Sequence, residues 1–129
     1  MVTLNTSIHT HLKKDQYLSN EDNMAKFDNG KAPVHLVPTK CIIDCAQVFG
    51  FGASKYGENN WRKDLNNMPY SRHYGSIQRH LLAWFSGEDI DPESGLPHLD
   101  HAMTQMMILK TTTDFADKEK VDDRYVDGK

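Results

Sequence analysis

The 129-residue chain has no apolar run long enough to span a membrane, which excludes an integral helical membrane protein. Its first residues, MVTLNTSIHTHLKKDQYL, lack an apolar signal core and a cleavage pattern, so a cytoplasmic location is expected. No stripe of Lys or Arg occurs and the formal net charge is −3. That field does not favour a nucleic-acid polymer, but a small phosphorylated molecule needs only local charge and stays open. Neither GxxxxGK[ST] nor GxGxxG is present, so a P-loop or Rossmann site is unsupported. There is no alternating strand pattern and no internal repeat. The only cysteines, Cys41 and Cys45, sit four apart on one predicted helix, where a crosslink is geometrically unsuited. They read as free thiols, and a lone CxxxC pair is weak support for zinc.

What remains is helical. Residues 1–25 are polar and aperiodic and read as an N-terminal arm. Asp28-Asn29-Gly30 signals a turn, and VHLVP (34–38) a short extended segment. Thr39 is a plausible cap for a first helix with Ile42, Cys45, Ala46 and Phe49 on its apolar face, ending near Phe51 at Gly50 and Gly52. Residues 52–69 read as loop with one helical turn around Ala53–Tyr56. A second helix starts near Pro69–Ser71, carries Tyr74, Ile77, Leu81, Trp84 and Phe85 as its core stripe, and stops at Gly87. Pro97 opens a third, reaching about Phe115, with Leu99, Ala102, Met103, Met106 and Leu109 inward. The charged tail, 116–129, reads as frayed or solvated. The expectation is an all-α fold: a small bundle of about three main helices with long polar loops over residues 26–115. Three short helices bury little area alone, so a homo-oligomer, a dimer or larger, is expected to complete it.

Chemistry-bearing residues concentrate between Arg79 and His101, in RHLLAWFSGEDIDPESGLPHLDH. His98 and His101 stand three apart at a helix start and share a face, which continues to Gln105. Paired imidazoles there suit metal ligation, proton transfer or a phosphate contact, or else are polar helix-start residues satisfied by neighbouring acids. Glu88, Asp89, Asp91 and Glu93 line the loop before them. They offer oxygen ligands for a hard cation, or form a solvated acidic turn; the glycine an EF-hand requires is replaced by Ser94. Arg79 and His80 lie on the second helix, Arg79 as a phosphate clamp or an ion-pair partner. KYGENNWR adds Lys55 and Arg62 for phosphate, Asn60 for a base edge or sugar, and Trp61 for stacking. Alternatively, Trp61 plugs the core of a turn.

Taken in order, KFDNGKAP, AQVFGFGASKYGENNW and RHLLAWFSGEDIDPESGLPHLDHA resemble the phage dATP/dGTP diphosphohydrolase family, over roughly residues 26–110. That family is linked to the all-α MazG-like nucleoside triphosphate pyrophosphatases. The resemblance implies hydrolysis of a purine deoxynucleoside triphosphate to monophosphate and pyrophosphate, with Mg²⁺ or Mn²⁺ as cofactor. On this reading Glu88, Asp91 and Asp100 are expected to hold the metal, and Glu88, Asp91, His98 and His101 to carry catalysis, with His98, Asp100 and His101 as ligands or as groups that orient them. Lys55, Asn60, Trp61, Arg62, Arg79 and His80 fall to the nucleotide. One departure stands out. MazG-like enzymes carry EExxE and ExxD on facing helices, where this chain has Arg79-His80 and His98-Leu99-Asp100-His101. Either the metal site is rebuilt around loop acids and imidazoles, or the chain is a sponge that binds a host signalling nucleotide without cleaving it.

Overall fold

A computed structural model describes residues 30–126. It separates at Val37/Pro38. In the first unit the described residues are few: a turn at Gly30 and a single 3₁₀ turn, Val34–Leu36. The extended segment expected there is instead curled, because the Leu36 amide reaches back to the Pro33 carbonyl at 3.0 Å and Val37 to Val34 at 3.1 Å. The predicted arm at 1–25 and the Asp28-Asn29 part of the turn lie outside the described residues.

The second unit is all-α. Its elements are α1 (Thr39–Tyr56), a single turn α2 (Asn60–Lys63), α3 (Tyr70–Phe85), α4 (His98–Phe115) and a single turn α5 (Lys118–Val121). No strand occurs among the described residues, and no described helix is long and apolar enough to cross a membrane. α4 is the central helix, packed mainly on α3 and also on α1.

Punctuation set the ends of α3 and α4 as expected. Pro69 and Pro97 occupy their N-caps, where a missing N–H costs nothing. α3 closes in a Schellman arrangement around Gly87 at φ 102°, with Gly87 N–H on the Trp84 carbonyl and Glu88 N–H on Ala83. α1 differs: it runs through Gly50 and Gly52 and ends only at Gly57, φ 93°. A helical glycine costs about 1 kcal/mol but does not break hydrogen bonding, so two of them did not stop it.

The buried faces also differ from the apolar stripes. α3 buries Tyr70, His73 and Ile77, whereas Tyr74 is exposed and Phe85 is 83% exposed. α4 buries His98, Asp100, Ala102, Thr104 and Thr112, and leaves Leu99 and Met106 more open. α1 buries Cys45 and Val48 and exposes Ile42. Both cysteines are free thiols. The tail is docked rather than frayed. Val121 is 0% exposed, Asp117 N–H donates to Asn66 Oδ1 at 2.7 Å, and Asp123 accepts from the Ser71 amide at 3.0 Å. One buried valine and two side-chain caps hold a segment whose composition alone reads as solvated.

Candidate active site

α3 and α4 meet along a polar seam. His73 and His80 lie seven apart on α3, and His98, His101 and Gln105 share one face of α4. At the open end His80 Nδ1 is 2.9 Å from His98 Nδ1, and the His80 and His101 rings stack at 4.6 Å between centroids, 5° from parallel. Further along, Gln105 Nε2 reaches His73 Nδ1 at 2.7 Å.

The loop from Gly87 to Pro97 delivers acids to this seam, and its backbone holds it in place. Asp91 N–H bonds the Leu96 carbonyl and His98 N–H the Asp89 carbonyl, both at 2.9 Å, and an antiparallel bridge pairs Ile90 with Pro97. Asp91 Oδ1 caps the turn by accepting from Glu93 N–H at 3.0 Å, and Gly95 takes the φ of 76° needed to close it. Asp91 Oδ2 then faces His101 Nε2 at 3.5 Å. Ser94 Oγ lies 2.6 Å from the same nitrogen. Glu88 Oε1 lies 2.7 Å from His98 Nε2.

His80, Asp91 and His101 each offer a ligand atom, all within 4.8 Å of one another, as a group able to hold a metal ion. Burial pushes the His80 imidazole below the usual histidine range, and neighbouring His101 adds to it. Burial does the same to His101, with Asp91 opposing. Both rings therefore favour the neutral form that can accept a proton or bind a metal.

Of the residues singled out in the sequence, Glu88, Asp91, His80, His98 and His101 come together here. Lys55 stands at the rim. It is paired with Glu93 at 2.8 Å and lies 5.3 Å from the Phe51 ring centre; Phe51 is edge-on to His101 at 6.2 Å. Asp100 does not join them. It is buried toward α1, where burial and then the charge of Asp44 raise its pKa. Asn60, Trp61 and Arg62 form α2, and Trp61 packs on Phe49 of α1 at 5.9 Å with the Arg62 guanidinium 4.4 Å from its ring centre. Arg79 is exposed and its Nη1 folds over Gly75, where a Cβ would approach to 3.0 Å. Sequence reasoning passed over His73 and the direct contact of Ser94 with His101. The seven-residue spacing of His73 from His80 was the available signal for the first.

The fold and site define an all-α domain with an imidazole–carboxylate cluster at a helix–loop–helix junction. The family model described as dATP/dGTP diphosphohydrolase, N-terminal, matches residues 21–124, and the chain belongs to that family. A protein of Salmonella phage PMBT28 named dATP/dGTP diphosphohydrolase is 34% identical over 84 residues, which cover 65% of this chain and 28% of that relative. The chain thus matches little more than a quarter of the relative's length. No solved structure matches the chain.

Proposed function

We propose that this chain hydrolyses a purine deoxynucleoside triphosphate to its monophosphate and pyrophosphate. Family membership supports the substrate class. The observation that carries the chemistry is the convergence of His101, Asp91 and His80 beside Lys55. His80, Asp91 and His101 are the groups that hold the attacking water, directly or through an ion bound between them. Lys55, released from Glu93, binds a phosphate oxygen, and Arg79 at the exposed edge of α3 supplies a second cation. Mg²⁺, the ion the resemblance implies, prefers oxygen ligands. The clustered donors are two imidazoles and one carboxylate, a set that does not suit Mg²⁺.

Incubation with dATP and dGTP, with products separated chromatographically, tests the reading. Monophosphate and pyrophosphate in equal amounts support it; intact nucleotide with every divalent ion tried defeats it. A second reading, capture without cleavage, is favoured by α3, which carries no acidic residue on the helix that faces α4. It requires tight binding and recovery of intact ligand after denaturation. Self-association belongs to the proposal too, because Leu82, Phe85, Met107 and Phe115 are exposed. Light scattering of the purified protein measures it.

A further inference from the structure

We propose that His80, Asp91 and His101 bind an imidazole-preferring transition ion of the Zn²⁺ or Co²⁺ type, and that Glu88 and His98 are positioning residues for it rather than ligands. This rests on, and deepens, the reading of the site as a hydrolytic centre. Two imidazoles and one carboxylate with positions left open for water or substrate are the donor set of a catalytic zinc-type site.

The hydrogen-bond chain fixes which His80 nitrogen is available. An ionised Glu88 only accepts, so His98 Nε2, at 2.7 Å, carries the proton. With that proton on Nε2, His98 Nδ1 is the acceptor, and His80 Nδ1, at 2.9 Å, donates to it. That leaves the His80 Nε2 lone pair free. Ser94 Oγ accepts from Leu96 N–H at 3.1 Å and sits 2.6 Å from His101 Nε2 against 3.5 Å from Asp91 Oδ2. Its hydroxyl donates toward Asp91 Oδ2, so Asp91 and Ser94 together hold the His101 ring in place. Relays of this kind, ring N–H to a second group to a carboxylate, orient metal-binding histidines. Ligand atoms around an ion at about 2.0–2.2 Å stand about 3.4 Å apart. The observed group lies within 4.8 Å, and the stacked His80 and His101 rings, 5° from parallel, turn out of their stack to aim both lone pairs at one ion. Asp100, outside that group of ligand atoms, takes no part.

The test is metal binding without nucleotide. Chelator-stripped protein is titrated with Co²⁺, following its visible d–d bands, and then with Zn²⁺ in competition. One equivalent should bind, resist millimolar Mg²⁺ and yield to Zn²⁺. His80→Ala, His101→Ala and Asp91→Asn should each abolish the bands; Asp91→Asn keeps an oxygen for Glu93 N–H and so preserves the turn. Glu88→Gln should keep the bands but weaken affinity about 10–100-fold, and Asp100→Asn should change neither. Absence of bands in the wild type, displacement by equimolar Mg²⁺, or loss of bands in Glu88→Gln with retention in His80→Ala would each overturn the assignment. Turnover is scored separately: an ion bound at these residues without nucleotide cleavage defeats the hydrolase reading alone, and cleavage with no such ion defeats this one alone.

Discussion

Gln105 Nε2 lies 2.7 Å from His73 Nδ1, a bond that joins α4 to α3 inside the protein. His73 is 3% exposed, and its Nε2 has no hydrogen-bond partner among the described residues. With the amide as donor, Nε2 carries the ring proton; with the amide turned over, Nδ1 donates to Oε1 and Nε2 is a bare lone pair. Either way the ring is neutral. Protonation would bury a charged N–H with no acceptor, and burial, followed by the charge of Arg72, pushes the His73 pKa down.

The direction of the pH effect follows. The unfolded chain takes up a proton at this residue near pH 6.5, before the folded one does. Stability should therefore be complete above about pH 6.5 and be lost as pH falls toward the folded-state value. Urea midpoints between pH 7.5 and 5.5 measure this. His73→Gln should flatten the slope without removing it, because His80 and His101 are shifted the same way. Equal slopes in wild type and variant would show that His73 is not the proton acceptor.

The docked tail makes a separate prediction. Val121 is wholly buried on a single helical turn capped by Asp117, whose Oδ1 accepts from Glu119 N–H at 3.1 Å. Val121→Ala should cost about 2 kcal/mol from lost apolar burial and the cavity left behind. In a domain of this size that lowers Tm by roughly 8–16 °C. An unchanged Tm would mean the tail detaches in solution.

Helix boundaries were legible where proline and glycine have a steric consequence: Pro69, Gly87 and Pro97 act on the backbone whatever packs around them. The inward faces were not, because hydrophobic periodicity rewards Leu99 and Met106 and ignores His98, Asp100, Thr104 and Thr112. Burial of the two histidines of α4 is compensated by partners at the other side of the seam and in the loop, information that is pairwise rather than periodic. The same holds for the candidate site. Spacing put His98 and His101 on one face, yet only the fold sets His80 against both and turns Asp100 away. Dense acids in the 88–93 loop were legible, but not their contacts: Asp91 faces the His101 imidazole and Glu88 that of His98.

Trp61 illustrates that gap and can be tested. Its ring is engaged by Phe49 at 5.9 Å and by the Arg62 guanidinium at 4.4 Å, in a half-buried setting. Trp61→Ala should cost about 2 kcal/mol in stability, below the value for a fully buried indole. Nucleotide affinity measured well below the variant's Tm should stay within about twofold, far less than the roughly tenfold that 1.4 kcal/mol represents. The reverse pattern, stability kept and affinity lost, would restore Trp61 to a base-stacking role.

Lys55 and Glu93 make the most discriminating pair. Their contact at 2.8 Å is exposed, and its main effect on Lys55 is the hydrogen bond that raises its pKa. Such a pair contributes little to folding, so changing it should leave Tm nearly untouched. For a triphosphate the two residues act oppositely: Lys55 attracts it, while Glu93 repels it and competes for the ammonium. Lys55→Ala should weaken dGTP binding by about tenfold and reduce its salt dependence. Glu93→Gln should tighten binding several-fold. If Glu93 works through Lys55, its substitution should do much less in the Lys55→Ala background, a coupling that a double-mutant cycle reads directly. Additive effects would instead mean that Glu93 repels the phosphates on its own, and no effect from either variant would place the nucleotide away from the end of α1.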